Sequence, residues 1–246
     1  MTEQEDNQRS GRKAADAEPD AAPAPHYHGH RERLRSRFLA HPDALPDYEL
    51  VEMLLFAAKT RGDTKPLAKA LIDRFKGIGA LLAAEPARLR QVAGADSDAV
   101  IAALKVVQEA AVRLARTELK QRSVISSWQA LLDYCQTAYA RNPVEEFRVL
   151  YLDRKNALIQ DDAQSRGTID QTSVYPREVV KRALELGASA LILVHNHPSR
   201  DPTPSKADIE MTRQVREACK AAEVVLHDHV IVGQGRHASL KALGLL

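Results

Sequence analysis

The 246-residue chain has two cysteines, Cys135 and Cys219, far apart in sequence. That count excludes a disulfide framework and a cysteine-rich zinc site, and it fits reduced thiols in a cytoplasmic protein. Aromatic residues make up only 4% of the chain, too few for an extended base-stacking surface. No apolar run reaches 18 residues, and the N-terminus has no hydrophobic core region. Neither a membrane span nor a secretory signal is expected. A dominant charge is missing too: 35 Lys+Arg stand against 33 Asp+Glu, a net +2. Whole-chain charge therefore gives no reason to expect a nucleic-acid partner.

What is present divides the chain into three. Residues 1–30 are rich in Glu, Asp, Gln, Ala and Pro and bury too little apolar surface to offset ordering entropy, so they read as a disordered tail. His26, His28 and His30 alternate within it and read as solvated. Residues 31–122 read as a small all-α domain carrying 17 basic against 12 acidic groups. Leu50, Met53, Leu54 and Leu55 follow Asp47 as N-cap, Pro66 opens a helix with Leu67, Leu71 and Phe75, and two short helices hold Leu81, Leu82, Leu89 and Val92. Val100, Leu104, Val107, Ala111 and Leu114 predict one apolar stripe on a helix over 98–118. Gly94-Ala95-Asp96-Ser97 before it lacks the second glycine of a helix-hairpin-helix turn and carries acidic groups where a phosphate would dock.

Residues 124–246 mix strands and helices. Strands are predicted at Phe147–Leu152, from Asn156, at Thr168–Tyr175, at Ala190–Val194 and at Val224–Val232. Helices are predicted from Pro176, with Val179, Val180, Ala183, Leu184 and Leu186 apolar and Gly187 as C-cap, over Ser205–Ala221, and over Ser239–Leu243. This is an α/β pattern, a sandwich around a mixed sheet.

His195 and His197 leave the Ala190–Val194 strand together, since residues two apart in an extended chain point to one side. Ser205 opens the next helix as N-cap and Asp208 lies at N3. Two His and one Asp converging make a three-ligand zinc site with one coordination position left for water, which implies hydrolysis. Ser-x-x-Asp alone would be a capping box; the histidine pair favours ligation. Ser205 is either a plain cap or the donor to an oxyanion. A general base is also needed, and the His-Glu-x-x-His helix that would supply it is absent. Candidates are Glu145, Glu146, Asp153, Asp161, Asp162 and Glu178; Glu146 is preferred because it begins a strand of the same sheet. His227 and His229 form a second pair, with His229 or Asp228 as partners behind the ligands. The Pro-Cys-x-x-Cys of a nucleobase deaminase is missing.

Glu, His-x-His, seven residues, Ser, two residues and Asp resembles the JAMM motif of MPN-domain metalloproteases. Tyr175-Pro176-Arg177-Glu178, His195-Asn196-His197-Pro198-Ser199 and Asp228-His229-Val230-Ile231-Val232-Gly233 are similar to the bacterial RadC family, over about residues 30–246. The resemblance implies one zinc ion held by His195, His197 and Asp208, Glu146 as general acid/base, Ser205 steadying the oxyanion, and a helical N-terminal domain with a helix-hairpin-helix. Arg200 stands where the family usually has Gly, and only Gly adopts certain backbone angles freely. The expected function is a cytoplasmic zinc metallopeptidase acting on a peptide or isopeptide bond of a peptide or protein substrate. The rival is a non-catalytic DNA repair or recombination accessory protein that binds DNA through the basic helical domain.

Overall fold

The structure is a computed structural model that describes residues 29–166 and 174–246. Residues 1–28 of the expected tail and most of the expected Thr168–Tyr175 strand lie outside the described residues; Val174 and Tyr175, which are described, are not strand. His30 belongs not to the tail but to the first helix, α1 (His30–Ala40), where its Nε2 lies 3.0 Å from Glu52 Oε1.

Five further helices follow: α2 (Asp47–Ala58), α3 (Lys65–Phe75), α4 (Ile78–Ala83), α5 (Pro86–Leu89) and α6 (Asp98–Gln121). Their shared core includes Val51, Leu55, Leu71, Phe75, Leu81, Leu89, Val100 and Leu104. Asp47 does not cap its own helix: Pro46 is the N-cap of α2, and Asp47 Oδ2 instead accepts the Ile78 N–H at 3.0 Å, satisfying an orphan donor of α4. Ser97 caps α6 by accepting the Val100 N–H. The apolar stripe of α6 turns partway along. Leu114 is 75% exposed, whereas Val112 and Leu119 are buried in a different core, against the sheet. One helix thus serves two cores.

The sheet has strands β1 (Glu146–Leu152), β2 (Leu158–Arg166), β3 (Ala190–Asn196), β4 (Val225–Gly233) and β5 (Arg236–Ser239), in the order β2-β1-β3-β4-β5. β3 and β4 are parallel; the other pairs are antiparallel. The sheet is therefore mixed, as expected, and β3 is its central strand. Every residue of β3 is buried, which is why its first five residues, Ala190 to Val194, are continuously apolar. Helices cover both faces. On one side α7 (Trp128–Ala138), not anticipated from sequence, packs with the end of α6 on Leu150, Leu152, Ile192, Val194, Val230 and Val232. On the other, α8 (Pro176–Leu186) and α9 (Lys206–Ala221) pack on Phe147, Val149, Tyr151, Leu191 and Leu193. Leu184, expected on the apolar face of α8, is 60% exposed. Residues 240–244 form a turn after β5 rather than the expected terminal helix. No helix among the described residues is long and apolar enough to cross a membrane.

Candidate metal centre

Side chains of β3 alternate faces, so His195 lies with Leu191 and Leu193 on the α8/α9 side. Phe147 pairs with His195 across the β1–β3 ladder and its ring stacks on the imidazole, centroids 5.9 Å apart. His197 lies just past the strand, its N–H donated to Val232 O at 2.9 Å. The two imidazole Nε2 atoms are 2.8 Å apart. Asp208 arrives from the first turn of α9, with Oδ1 3.4 Å from His195 Nε2 and Oδ2 3.9 Å from His197 Nε2. The three sequence-predicted ligands are therefore brought together. Ser205 and Asp208 also form a full capping box: Ser205 Oγ accepts the Asp208 N–H at 3.1 Å, and the Ser205 N–H is donated to Asp208 Oδ2 at 2.7 Å. The box worth about 1 kcal/mol to the helix also aims the carboxylate at the histidines. Capping does not turn the Asp208 carboxylate away from the histidines.

The two adjacent glutamates part company. Glu145 joins His195 and His197 in a group whose ligand atoms all lie within 4.8 Å of one another. Burial raises its carboxyl above the ordinary range, His197 opposes that rise and Asp208 adds to it. Glu146, the preferred base from sequence, is placed with its carboxylate on the other face, 3.2 Å from Asn142 Nδ2 and 3.5 Å from Arg148 Nη1. The cause is the β1–β3 register. Phe147 shares the His195 face, so odd-numbered β1 positions face the histidines and even-numbered ones face α7. Asn196, fully buried on that second face, straps the entry to β1: its Oδ1 accepts the Glu146 N–H, and its Nδ2 donates to Asn142 O and Val144 O. Of the other carboxylates considered, Asp161 and Asp162 are ion-paired to Arg148 and Arg182. Glu178 lies 3.3 Å from Arg177, and Asp153 accepts backbone N–H groups of the turn between β1 and β2.

Hydrogen bonds to carbonyls assign the imidazole tautomers. His197 Nδ1 lies 2.7 Å from Asp201 O, which can only accept, so this nitrogen carries the proton and Nε2 the lone pair. Thr212, one turn beyond Asp208, donates its hydroxyl to Asp208 O at 2.5 Å and so must accept from His229 Nδ1 at 2.6 Å. His229 Nε2 is then an acceptor for His195 Nδ1 at 2.8 Å, which leaves His195 Nε2 bare. His229 thus stands directly behind His195. Asp228 faces away, accepting from Ser239 Oγ and the Lys241 N–H, and His227 bonds Asn156. Burial pulls His195 down to about 4, with Asp208 opposing and His197 adding, and holds His229 well below the usual histidine range. Both rings are neutral at pH 7.

Two bare nitrogen lone pairs facing each other at 2.8 Å repel unless a cation or a proton lies between them. Two imidazole nitrogens with two carboxylates at hand form a donor set suited to a divalent ion such as zinc. The residues fit a metal. A family model described as the RadC-like JAB domain matches residues 125–245. A UPF0758 protein of Rhodobacter capsulatus is 62% identical over 214 residues, covering 87% of this chain and all of the relative. This chain belongs to the RadC family. Its JAB domain places this candidate metal-binding group at the point where β1, β3 and α9 meet, and the RadC-like segment runs through every element that contributes to it. Neither name carries an activity.

Proposed function

We propose that the protein is a zinc-dependent hydrolase of peptide or isopeptide bonds, acting in the cytoplasm. The observation that carries this reading is the Glu145 carboxylate beside the two bare Nε2 atoms and Asp208. His195, His197 and Asp208 would hold the ion, which when bound supplies a Lewis acid that brings the pKa of water to about 7. Glu145, its affinity for a proton raised by burial, takes a proton from the attacking water and returns it to the leaving amine. Ser205 accepts a bond as N-cap, which leaves its own hydroxyl proton free to donate to the oxygen that becomes negative. Phe147 and the neutral His229 keep the inner wall dry. Two buried free thiols, Cys135 and Cys219, suit a reducing compartment.

Atomic emission on the purified protein should find about one zinc per chain, and Asp208→Ala should remove it. A peptide-library screen on the loaded protein should then show cleavage. A folded protein that cannot be loaded, or a loaded protein that Asp208→Ala leaves loaded, rejects the reading. The rival DNA-accessory expectation gains no comparable support. Asp98, at the start of α6 where a phosphate would dock, is held by Arg90 at 2.6 Å.

A further inference from the structure

Beside the metal centre runs a cleft of about 610 Å³, walled by the helical region on one side and by the JAB domain on the other. Its lining includes Arg74, Lys76 and Arg88 from the helical side, Arg141 and Arg200 from the other, and a single carboxylate, Glu85. Five cations face one anion. The near end of the cleft is Asn142 and Pro198. Pro198 directly follows His197, and Asn142 is in the segment strapped by Asn196 that leads to Glu145.

Two of the cations, Arg88 and Arg141, have their guanidinium groups packed in place, and a third, Arg200, has its backbone fixed. The Arg88 guanidinium lies over the Phe75 ring, 5.7 Å from its centroid. The Arg141 guanidinium packs on the backbone of α4, within 3.2 Å of where a Cβ on Gly79 would stand. Arg200 is held in the left-handed region, φ 72°, with its carbonyl 2.4 Å from the position a Gly233 Cβ would occupy. Groups held in place in advance bind a complementary ligand with less entropy loss.

We infer that this cleft receives an acidic segment of the polypeptide substrate, so that the helical region selects which chains reach Glu145. The inference rests on the hydrolase reading above for the word substrate, but the cleft's charge preference does not. A peptide is favoured over a nucleic acid by the lining itself. Phe75 is its only aromatic residue, and Arg88 already occupies that ring, so bases have no platform on which to stack. The volume lies in the range of sites that take a short extended segment.

The test uses the full-length protein, both zinc-loaded and stripped with chelator, so that binding is read without turnover. Fluorescence anisotropy at low salt compares a labelled hexaglutamate peptide, a hexalysine peptide and a dodecathymidine oligonucleotide. Hexaglutamate should bind in both metal states, weaken as salt is raised, and bind at least tenfold more weakly to Arg88→Glu and to Arg74→Glu. Arg88→Lys should restore most of the affinity. Both positions are exposed on the helical wall, and circular dichroism verifies that the variants fold. Absent hexaglutamate binding, or binding indifferent to both reversals, overturns the inference. So does tighter binding of the oligonucleotide that the same reversals abolish, which would make the cleft a nucleic-acid surface. If the protein proves inactive yet binds hexaglutamate as described, the hydrolase reading fails and the cleft's preference stands. Hydrolysis without such binding sinks the cleft alone.

Discussion

The two faces of the sheet at the β1–β3 end each bury a polar cluster, and the clusters differ in their balance of protons. On the α7 side, Asp161 accepts from Tyr134, Tyr139 and Arg148, and Tyr134 in turn accepts from Arg116. Burial and the Asp161 charge push both phenols above their ordinary range, so they stay protonated donors. Each acceptor there has its donor. On the α9 side, once the Thr212–His229–His195 chain and the Asp201 carbonyl have taken their bonds, two nitrogens and the neighbouring carboxylates are left with lone pairs and no protons to share. A saturated cluster is a fastener; an acceptor-rich one calls for a guest. Glu146 and Glu145, adjacent in the chain, fall on opposite sides of that distinction.

The contrast can be broken first at those two residues. Glu145→Gln should cut hydrolysis by about 10²–10⁴-fold with zinc content unchanged, while Glu146→Gln should leave the rate within about threefold; single-turnover assays on loaded protein decide it, and equal losses would erase the distinction. Next in size is the fastener itself. Asp161→Ala leaves Arg148 buried without its main partner and should cost about 3–5 kcal/mol, measured by denaturant unfolding, with the metal still bound in the folded fraction. On the α9 side, Thr212→Val removes the hydroxyl that fixes the His229 tautomer and should weaken zinc binding about 10–100-fold, read by chelator competition; unchanged affinity would show that the proton chain plays no part. The smallest effect concerns the thiols, one for each face. Cys135 packs with the α7 layer and Cys219 with the α9 layer. Burial raises both, Cys219 to about 11. The folded protein therefore disfavours the thiolate. That contribution is complete below the unfolded thiol pKa of about 8.5 and is lost as pH rises from there towards 11. Alkylation at pH 8 should be slow at both positions, and slower at Cys135.

The strand that holds the histidines was legible because a fully buried strand has a continuous apolar run, and Asp208 because its spacing from Ser205 is a capping box whichever role it plays. The side to which each glutamate points was not legible. From Phe147 to Leu152 β1 is apolar at both parities apart from Arg148, so alternation assigns no face; only the pairing of Phe147 with His195 does. That register is a tertiary fact. Helix α7 escaped notice although Ser127 stands at its N-cap position and Leu131, Leu132 and Cys135 recur at helical spacing; its first turn has no acidic residue to strengthen the signal. β5 escaped because Arg236-His237-Ala238-Ser239 carries no apolar alternation and owes its place to pairing with β4. The stripe on α6 was drawn straight through Leu114, whereas the helix turns a different face to the sheet than to the helical core.

The loop from His197 to Arg200 is pinned to β4 twice, by the His197 N–H on Val232 and by the Arg200 carbonyl pressed against Gly233. Backbone meeting backbone has no slack to take up. The loop's imidazole is thereby registered to the sheet, so its distance from the Asp208 carboxylate can change only if α9 itself shifts.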